Sequence, residues 1–168
     1  MTKKVYLTTI SLSLLVILIG CPPPHQTSGN ISMALKDYEQ AVVQYQQGLE
    51  SDPDSVTLLT GLGRARYNLG EYDEAIEAFQ HSLDIEEYPL ASFYLGLTYI
   101  AKGEREKGFR ILHAFRYTGK RYLTKSVRDM AYYLEPQTTA TSEEITTKMF
   151  RAWNDGLAME EDAARPGN

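Results

Sequence analysis

The chain has 168 residues, with 17 basic and 22 acidic side chains and a net charge of −5 at pH 7. This acidic balance argues against a nucleic-acid-binding protein, because such proteins usually present an excess of positive charge. A single cysteine, Cys21, excludes an intramolecular disulfide framework, so the stability of the fold must come from packing.

The first predicted element is a secretory signal. Lys3 and Lys4 precede an apolar run over residues 5–19, and the run leads into Gly20 and Cys21. A charged start, a short apolar stretch and small residues at the exit are typical of a cleaved leader. The apolar run is shorter than the roughly 20 residues that a membrane-spanning helix needs. An uncleaved membrane anchor remains the alternative.

The tetrapeptide Leu18-Ile19-Gly20-Cys21 resembles the lipobox of bacterial lipoproteins, which is cut just before the cysteine. The resemblance implies that residues 1–20 are a lipoprotein signal peptide and that Cys21 becomes an acylated first residue. The run Pro22-Pro23-Pro24 follows at once and prevents a helix or strand from continuing through it. A lipidated, flexible tether is therefore predicted over residues 21–31.

A repeat with an offset of 34 and then 33 residues runs through the middle of the chain. Apolar and small residues recur at equivalent positions, whereas the polar residues differ between units. The recurring pairs are Tyr38 and Tyr72, Ala41 and Ala75, Tyr45 and Phe79, and Gly63 and Gly96. Within each unit the apolar positions advance by three and four, which predicts helices. Gly70 falls between two such runs, where a helix end is expected. Periods of this length indicate a solenoid of stacked helix pairs.

These residues resemble the tetratricopeptide repeat, and the resemblance covers residues 32–118. It divides that stretch into three units, over residues 32–55, 56–88 and 89–118. The first unit is expected to be partial, because its first helix would overlap the tether. The third unit departs from the pattern, since Arg105 replaces an aromatic residue and Gly108 replaces an alanine. The resemblance implies an all-α fold, a short helix-hairpin solenoid.

Two capping helices are predicted over residues 119–160, because each repeat exposes an apolar face to its neighbour. Residues 121–134 carry one apolar stripe, and Pro136 ends it. The run Ser142-Glu143-Glu144-Ile145 resembles a helix start with a capping box. Apolar residues then follow at steps of four: Ile145, Met149, Trp153 and Leu157. Residues 161–168 are predicted to form a disordered tail.

The resemblance also implies a concave groove, lined by the first helix of each pair. Carried over by position, its polar half would contain Thr60, Arg64, Tyr67 and Asn68. Its apolar half would contain Phe93, Leu97 and Ile100. The apolar half needs a cover, and two occupants remain open: a helix or extended peptide of a partner protein, or the chain's own last helix with Ile145, Met149 and Trp153. We also hypothesise that this last helix acts as a movable plug that competes with a partner.

Charge is spread unevenly along the chain. Residues 36–87 carry 12 acidic and 3 basic side chains, whereas residues 102–128 carry nine basic and two acidic ones. Ordinary solvated helix faces would explain this distribution. The alternative is a basic face that binds anionic lipid, cell-wall polymer or an acidic partner, with Arg116, Lys120 and Arg121 as candidates.

No pattern in the sequence indicates an enzyme. The three histidines, at positions 25, 81 and 113, do not have the spacing of metal ligands. The sequence contains neither a serine in a nucleophile elbow nor a phosphate-binding glycine loop. We therefore expect no catalytic residue, no metal and no cofactor, apart from the covalent lipid on Cys21.

The sequence predicts a membrane-anchored adaptor or scaffold lipoprotein that assembles proteins of a bacterial cell envelope, in pilus, secretion or cell-wall machinery. The residue after Cys21 is proline and not aspartate. In a diderm source this favours the outer membrane, with the protein facing the periplasm. One alternative is a structural subunit held in a larger machine through the basic face. Another is an envelope module that binds cell-wall polymer or anionic lipid through the same face.

Overall fold

A computed structural model of the protein describes residues 25–165, and this part of the chain folds into eight α-helices. In chain order they are α1 His25–Ala34, α2 Tyr38–Ser51, α3 Val56–Leu69, α4 Tyr72–Ile85, α5 Pro89–Lys102, α6 Arg105–Ala114, α7 Arg121–Leu134 and α8 Ser142–Ala164. No strand occurs within the described residues, which confirms the predicted all-α class. None of these helices is both long and apolar enough to cross a bilayer. The predicted signal peptide and the acylation site at Cys21 lie outside the described residues.

The helices pack in consecutive pairs: α1 with α2, α3 with α4, α5 with α6, and α7 with α8. Neighbouring pairs stack, because α2 contacts α3, α4 contacts α5 and α6 contacts α7. In addition, α1 contacts α3 and α3 contacts α5. The first helices of successive pairs therefore line one side of the array, which we call the inner face. This arrangement confirms the predicted helix-hairpin solenoid.

The helix boundaries follow from local backbone chemistry. Gly70 and Gly103 end α3 and α5 with φ values of 79° and 97°. Glycine tolerates this left-handed conformation because it lacks a Cβ. Pro89 begins α5 at a position where no backbone N–H is needed for the helix. The unit starts predicted at residues 56 and 89 thus coincide with the first residues of α3 and α5.

Three glycines at equivalent positions explain the register of the repeat. A Cβ atom on Gly29 would lie 2.5 Å from the Tyr45 ring, and one on Gly63 would lie 2.6 Å from the Phe79 ring. A Cβ atom on Gly96 would lie 2.7 Å from Cγ of Leu112. Each contact joins the two helices of one pair, and an added methyl group would not fit without a shift. The helices can pack this closely only because these side chains are absent.

The first unit is complete, which corrects the prediction of a partial unit preceded by a flexible tether. Residues 25–31 belong to α1, which contacts both α2 and α3. The proline run ends at Pro24, and a helix is free to begin directly after proline. Gly29 stands 34 residues before Gly63, so the register of the repeat already contained the signal for this helix.

The buried side chains form two clusters. The smaller one lies between the first two pairs and contains Ala41, Tyr45, Leu58 and Ala65. The larger one begins at Ala75 on α4 and extends to Met149 on α8. The second and third repeats therefore share one hydrophobic core with the last helix pair.

The last helix pair departs from the repeat in its orientation. In the first three pairs the odd-numbered helix lies on the inner face, but α5 contacts α8 and, among the described helices, not α7. Meanwhile α7 stacks on α6. Relative to the preceding pairs, the second helix of the last pair has taken the inner position, so α8 lies where the groove was predicted.

The longest described helix, α8, has 23 residues and begins with a capping box. The Thr141 hydroxyl accepts the backbone N–H of Glu144 at 3.2 Å, and the Glu144 carboxylate accepts the backbone N–H of Thr141 at 2.9 Å. This confirms the predicted helix start, because two N–H groups without intrahelical partners are satisfied reciprocally. The capping contact also holds the pKa of Glu144 below its usual value.

The end of α8 corrects the prediction of a disordered tail over residues 161–168. The helix continues through Ala164, and residues 166–168 lie outside the described part of the chain. The Glu160 carboxylate accepts the backbone N–H groups of Tyr122 and Leu123, the latter at 3.2 Å. A carboxylate is favourable at a helix N-terminus, so this contact holds the end of α8 against the start of α7.

Candidate functional site

The apolar half of the predicted groove is covered by α8. Phe93, Leu97 and Ile100 are at most 2% exposed, and Ile145 and Met149 are fully buried in the same cluster. Of the two occupants that the sequence left open, the structure shows the chain's own last helix. These three α5 residues are therefore core residues, and the Ile100 side chain packs against Gly108 of α6, where an added Cβ would lie 2.5 Å from it.

An aromatic cluster holds α8 in this position. The ring centroid of Trp153 lies 4.7 Å from that of Phe93 and 5.8 Å from that of Phe115. Phe150 lies 5.5 Å from both Phe93 and Tyr94. Aromatic pairs at such separations contribute about 0.5–1.5 kcal/mol each beyond the area that they bury. The contacts indicate a helix that is built into the core.

Polar contacts fix the position of α8 along the inner face. The Ser142 hydroxyl donates to the carbonyl oxygen of Ile100 at 3.1 Å, near the end of α5. The hydroxyl oxygens of Tyr67 and Thr146 lie 3.3 Å apart and join α3 to α8. The beginning of α8 thus spans two repeats.

The polar half of the groove is only partly as predicted. Thr60 is 2% exposed, and its hydroxyl oxygen lies 3.0 Å from that of Ser82 on α4. Thr60 therefore joins the two helices of its own pair and does not line the groove, because its hydroxyl finds a buried partner there. Arg64 and Tyr67 are half-buried, and Asn68 is exposed. These three residues form the accessible part of the predicted site.

Arg64 is the central charged residue of this surface. Its guanidinium carbon lies 5.3 Å from the centroid of the Tyr94 ring, a cation–π distance. Its Nε is buried and has no hydrogen-bond partner within the described residues. The Asn68 side-chain amide donates to the Arg64 carbonyl at 2.7 Å. The Nε–H of Arg64 is thus a buried donor that is unsatisfied within the described fold.

A small pocket lies beside these residues, where α3, α4 and the end of α5 meet the start of α8. Its lining residues are Tyr67, Tyr72, Ala101, Ser142, Glu143 and Thr146. Burial raises the pKa of the Tyr67 phenol, and the hydrogen bond to Thr146 offsets part of this effect. The phenol is therefore neutral at physiological pH. The pocket offers hydroxyl groups, aromatic edges and one carboxylate, which suits a polar peptide segment.

Part of the positive charge of the basic region, residues 102–128, is neutralised by contacts within the fold. Lys102 Nζ lies 2.6 Å from an oxygen of Asp73 and 2.9 Å from one of Glu104. The hydrogen bonds to Asp73 and Glu104 raise the pKa of Lys102. Lys107 Nζ lies 3.9 Å from the Tyr99 ring centroid and also pairs with Glu104. Several of the predicted cations are therefore neutralised within the fold.

The three candidates for the basic face lie in the loop before α7 and at its first residue. Arg116 and Arg121 are exposed, and Lys120 is half-buried at the N-cap. The Arg121 guanidinium carbon lies 4.8 Å from the Tyr122 ring centroid. Within the described residues, no ion pair involves any of these three cations. They remain the open part of the basic region.

Arg105 has a structural role that the sequence analysis missed. Its guanidinium donates to the carbonyl oxygens of Leu134 and Gln137 at 2.9 Å each, and to that of Ala140 at 3.2 Å. Cations are favourable at helix C-termini, where carbonyl groups lack intrahelical partners. Arg105 thus anchors the loop that turns the last pair around. The only signal in the sequence was an arginine where the repeat has an aromatic residue.

The histidines lie apart in the structure. His81 Nε2 lies 3.4 Å from a carboxylate oxygen of Asp54, and His113 Nε2 lies 3.6 Å from one of Glu135. Over residues 25–165, no group of three His, Cys, Asp or Glu side chains is placed to hold a metal ion.

Comparisons with known proteins agree with this geometry. Residues 29–70 match the family model described as TPR repeat, and residues 56–88 match the one described as Tetratricopeptide repeat. Tetratricopeptide repeats are therefore recognised in this chain. The first match begins at Gly29, in agreement with a complete first unit. Such repeats support a role as a protein–protein interaction scaffold.

Two curated relatives are similar to part of this chain. The chain is 37% identical over 71 residues to Tetratricopeptide repeat protein 8 of Caenorhabditis elegans, which is 42% of this chain and 14% of that protein. It is 26% identical over 84 residues to the human Intraflagellar transport protein 88 homolog, which is 47% of this chain and 10% of that protein. The chain thus spans about a tenth to a seventh of the length of these relatives.

Proposed function

We propose that the protein is a membrane-anchored adaptor that binds a partner protein along the open half of its inner face. The observation that carries this proposal is the contrast between the two halves. The apolar half is filled by α8, whereas Arg64, Tyr67 and Asn68 remain accessible beside it. A partner segment with hydrogen-bond acceptors suits this surface, because Arg64 carries a positive charge and Asn68 is exposed beside it.

The proposed anchor is Cys21, on the strength of its lipobox-like context. Three residues lie between Cys21 and the beginning of α1 at His25, so the two are four Cα–Cα steps apart. Even a fully extended chain would span at most about 14 Å over this distance. The repeats would then lie directly against the membrane, and a partner would have to approach the inner face there. Acylation by two or more chains would give stable attachment.

The proposed setting is a bacterial cell envelope, where such an adaptor would assemble a pilus, secretion or cell-wall complex. The name of the human relative refers to intraflagellar transport, but the similarity to that protein covers only 84 residues and 10% of its length. Its name therefore does not decide the setting of this chain. The lipobox-like sequence at Cys21 supports the envelope.

The test is a crosslinked pull-down from native membranes with the full chain. We expect the combined change Arg64→Ala and Asn68→Ala to lower recovery of the partner at least tenfold. The control is Glu77→Ala, an exposed residue on α4 outside the groove, and it should leave recovery unchanged. Equal recovery with both variants would overturn the proposed binding surface. Metabolic labelling with palmitate tests the anchor, which Cys21→Ser should abolish.

The second candidate function uses the open cations at the start of α7 to bind anionic lipid or cell-wall polymer. The supporting observation is that Arg116, Lys120 and Arg121 have no ion-pair partner among the described residues. Ionic binding should weaken steeply as salt rises, whereas groove binding should not. A partner whose recovery is lost with Arg116→Glu and Lys120→Glu, but kept with Arg64→Ala, would favour this alternative.

A further inference from the structure

The exposed large hydrophobic side chains are concentrated at the two ends of the array. At one end, Ile31 on α1 is 53% exposed and Leu35, just after α1, is 74% exposed. At the other end, Tyr132 and Tyr133 of α7 are 54% and 62% exposed, and Met159 of α8 is 52% exposed. Within residues 25–165, only Val43 and Ile85 complete this set. Repeat arrays normally protect their ends with polar caps. The exposed hydrophobic side chains at both ends of this array therefore need an explanation.

The register of the repeat shows which direction Ile31 faces. The residue 34 positions later is Ala65 on α3, which is fully buried in the cluster between the first and second pairs. The residue 33 positions after that is Thr98 on α5, which is also fully buried. These positions are covered where a pair packs against the one before it. Ile31 holds the same position on the first pair, so it faces the place where a preceding pair would stack.

The opposite end offers a complementary groove between α7 and α8. Its lining residues are Tyr122, Lys125, Ser126, Asp129, Met130, Tyr133 and Met159. Aromatic and methionine side chains form its apolar part, and such side chains adapt well to aliphatic partners. A groove of this composition suits the aliphatic edge formed by Ile31 and Leu35.

The first pair and α7 carry opposite charge. Residues 25–55, which form the first pair and the loop after it, contain five carboxylates and one lysine. By contrast, α7 contains three basic residues and one aspartate, and Arg121, Lys125 and Arg128 are all exposed, with Lys125 paired to Asp129. On the other side of the groove, α8 contains six acidic and two basic residues. Opposite charges therefore favour an orientation in which the first pair of one copy lies on the α7 side of the groove.

We propose that copies of this chain associate head to tail, with α1 of one copy seated against the α7–α8 groove of the next. Each copy presents two different surfaces, so the contact is heterologous and generates either a ring or an open row of copies. The solenoid would continue from one copy to the next across this contact. This inference does not depend on the proposed partner surface, because Arg64 and Asn68 take no part in it.

The test is crosslinking of the full chain after Leu35→Cys and Tyr133→Cys have been introduced together. With a short bifunctional thiol reagent we expect a ladder of dimers, trimers and larger species on a denaturing gel. The control pairs Tyr133→Cys with Glu77→Cys, an exposed position in the middle of the array, and should give no ladder. Cys21 is present in every variant, so its contribution cancels in the comparison.

A matched pair of separately tagged single variants tests the pairing itself. Leu35→Cys mixed with Tyr133→Cys should give mixed dimers, and Arg128→Glu in the second copy should lower their yield severalfold. If Leu35→Cys crosslinks only to itself, the contact is symmetric and the proposal is wrong. It is equally wrong if no ladder forms, and protection of the thiol at position 35 by phospholipid vesicles would then show that a bilayer covers α1.

Discussion

Gly108 lies where α5 and α6 approach most closely. A Cβ atom at this position would lie 2.5 Å from the carbonyl oxygen of Gly96 and 3.1 Å from the backbone N of Ile100. Helix propensity alone favours alanine over glycine by about 1 kcal/mol. The departure from the repeat at Gly108, which looked like a weakness in the sequence, thus has a packing cause. Backbone atoms cannot move aside as a side chain can, so the contact itself requires glycine.

The change Gly108→Ala should therefore destabilise the fold, by about 1–3 kcal/mol, as overpacking in a core does. Without the close contact, the same change would stabilise α6 by about 1 kcal/mol. A loss of stability would therefore indicate the close contact, and a gain would indicate its absence. Urea unfolding of the full chain measures it. Glu77→Ala, at an exposed helical position, serves as the control and should change the free energy of unfolding by less than about 0.5 kcal/mol.

Individual residues also show which parts of the groove could be predicted from the sequence and which could not. Arg64, Tyr67 and Asn68 reach the inner face as the repeat register indicated, because register fixes the direction of a side chain from a helix. Thr60 does not, because a hydroxyl group near a buried serine gains more by pairing with it than by facing the groove. The burial of Phe93 and Leu97 depends on a contact with residues about 55 positions away along the chain, which local sequence does not specify.

At the scale of helices, periodicity predicts which segments are helical but not how pairs face each other. The helices from α2 to α8 coincide with apolar runs at steps of three and four, bounded by glycine or proline. The reversed last pair was not predictable from that pattern. In that pair, Arg105 binds four carbonyl groups at the end of α7 and in the loop between α7 and α8, a contact distant in sequence.

The change Arg105→Ala should release this loop and leave its carbonyl groups without their donor. We expect a loss of about 1–3 kcal/mol in the free energy of unfolding, the usual result when partly buried polar groups lose a partner. Arg105→Lys should recover only part of the loss, because an ammonium group lacks the planar fork of donors. Thermal unfolding followed by circular dichroism measures both changes.

Arg110 provides the matched control for Arg105, since it lies on the same helix and is exposed. Its guanidinium lies 3.1 Å from a carboxylate oxygen of Glu106, an exposed pair at i and i+4. Such pairs contribute little, so Arg110→Ala should lower the free energy of unfolding by no more than about 0.5 kcal/mol. If Arg105→Ala had an effect as small as this, the anchoring role assigned to Arg105 would be wrong.

At the scale of the whole molecule, the filled groove limits which inner surface is accessible. With α8 on the inner face of α5, the apolar half of the predicted groove is closed, whereas Arg64, Tyr67 and Asn68 on α3 remain accessible within the described residues. The larger hydrophobic cluster includes residues of α4, α5, α6, α7 and α8. Because of this shared core, the movable-plug hypothesis would require α8 to leave a surface that contains Ile145 and Met149, both fully buried.

The most direct test of this account is urea unfolding followed by two signals at once. Trp153 is the only tryptophan of the chain, so its fluorescence reports on α8, while circular dichroism at 222 nm reports on all helices. If α8 is part of the core, both signals should change in one coincident transition, and the native emission should be blue-shifted. If Trp153 became exposed at a urea concentration that leaves the helical signal unchanged, α8 would be a detachable plug, and our account of the closed groove would be contradicted.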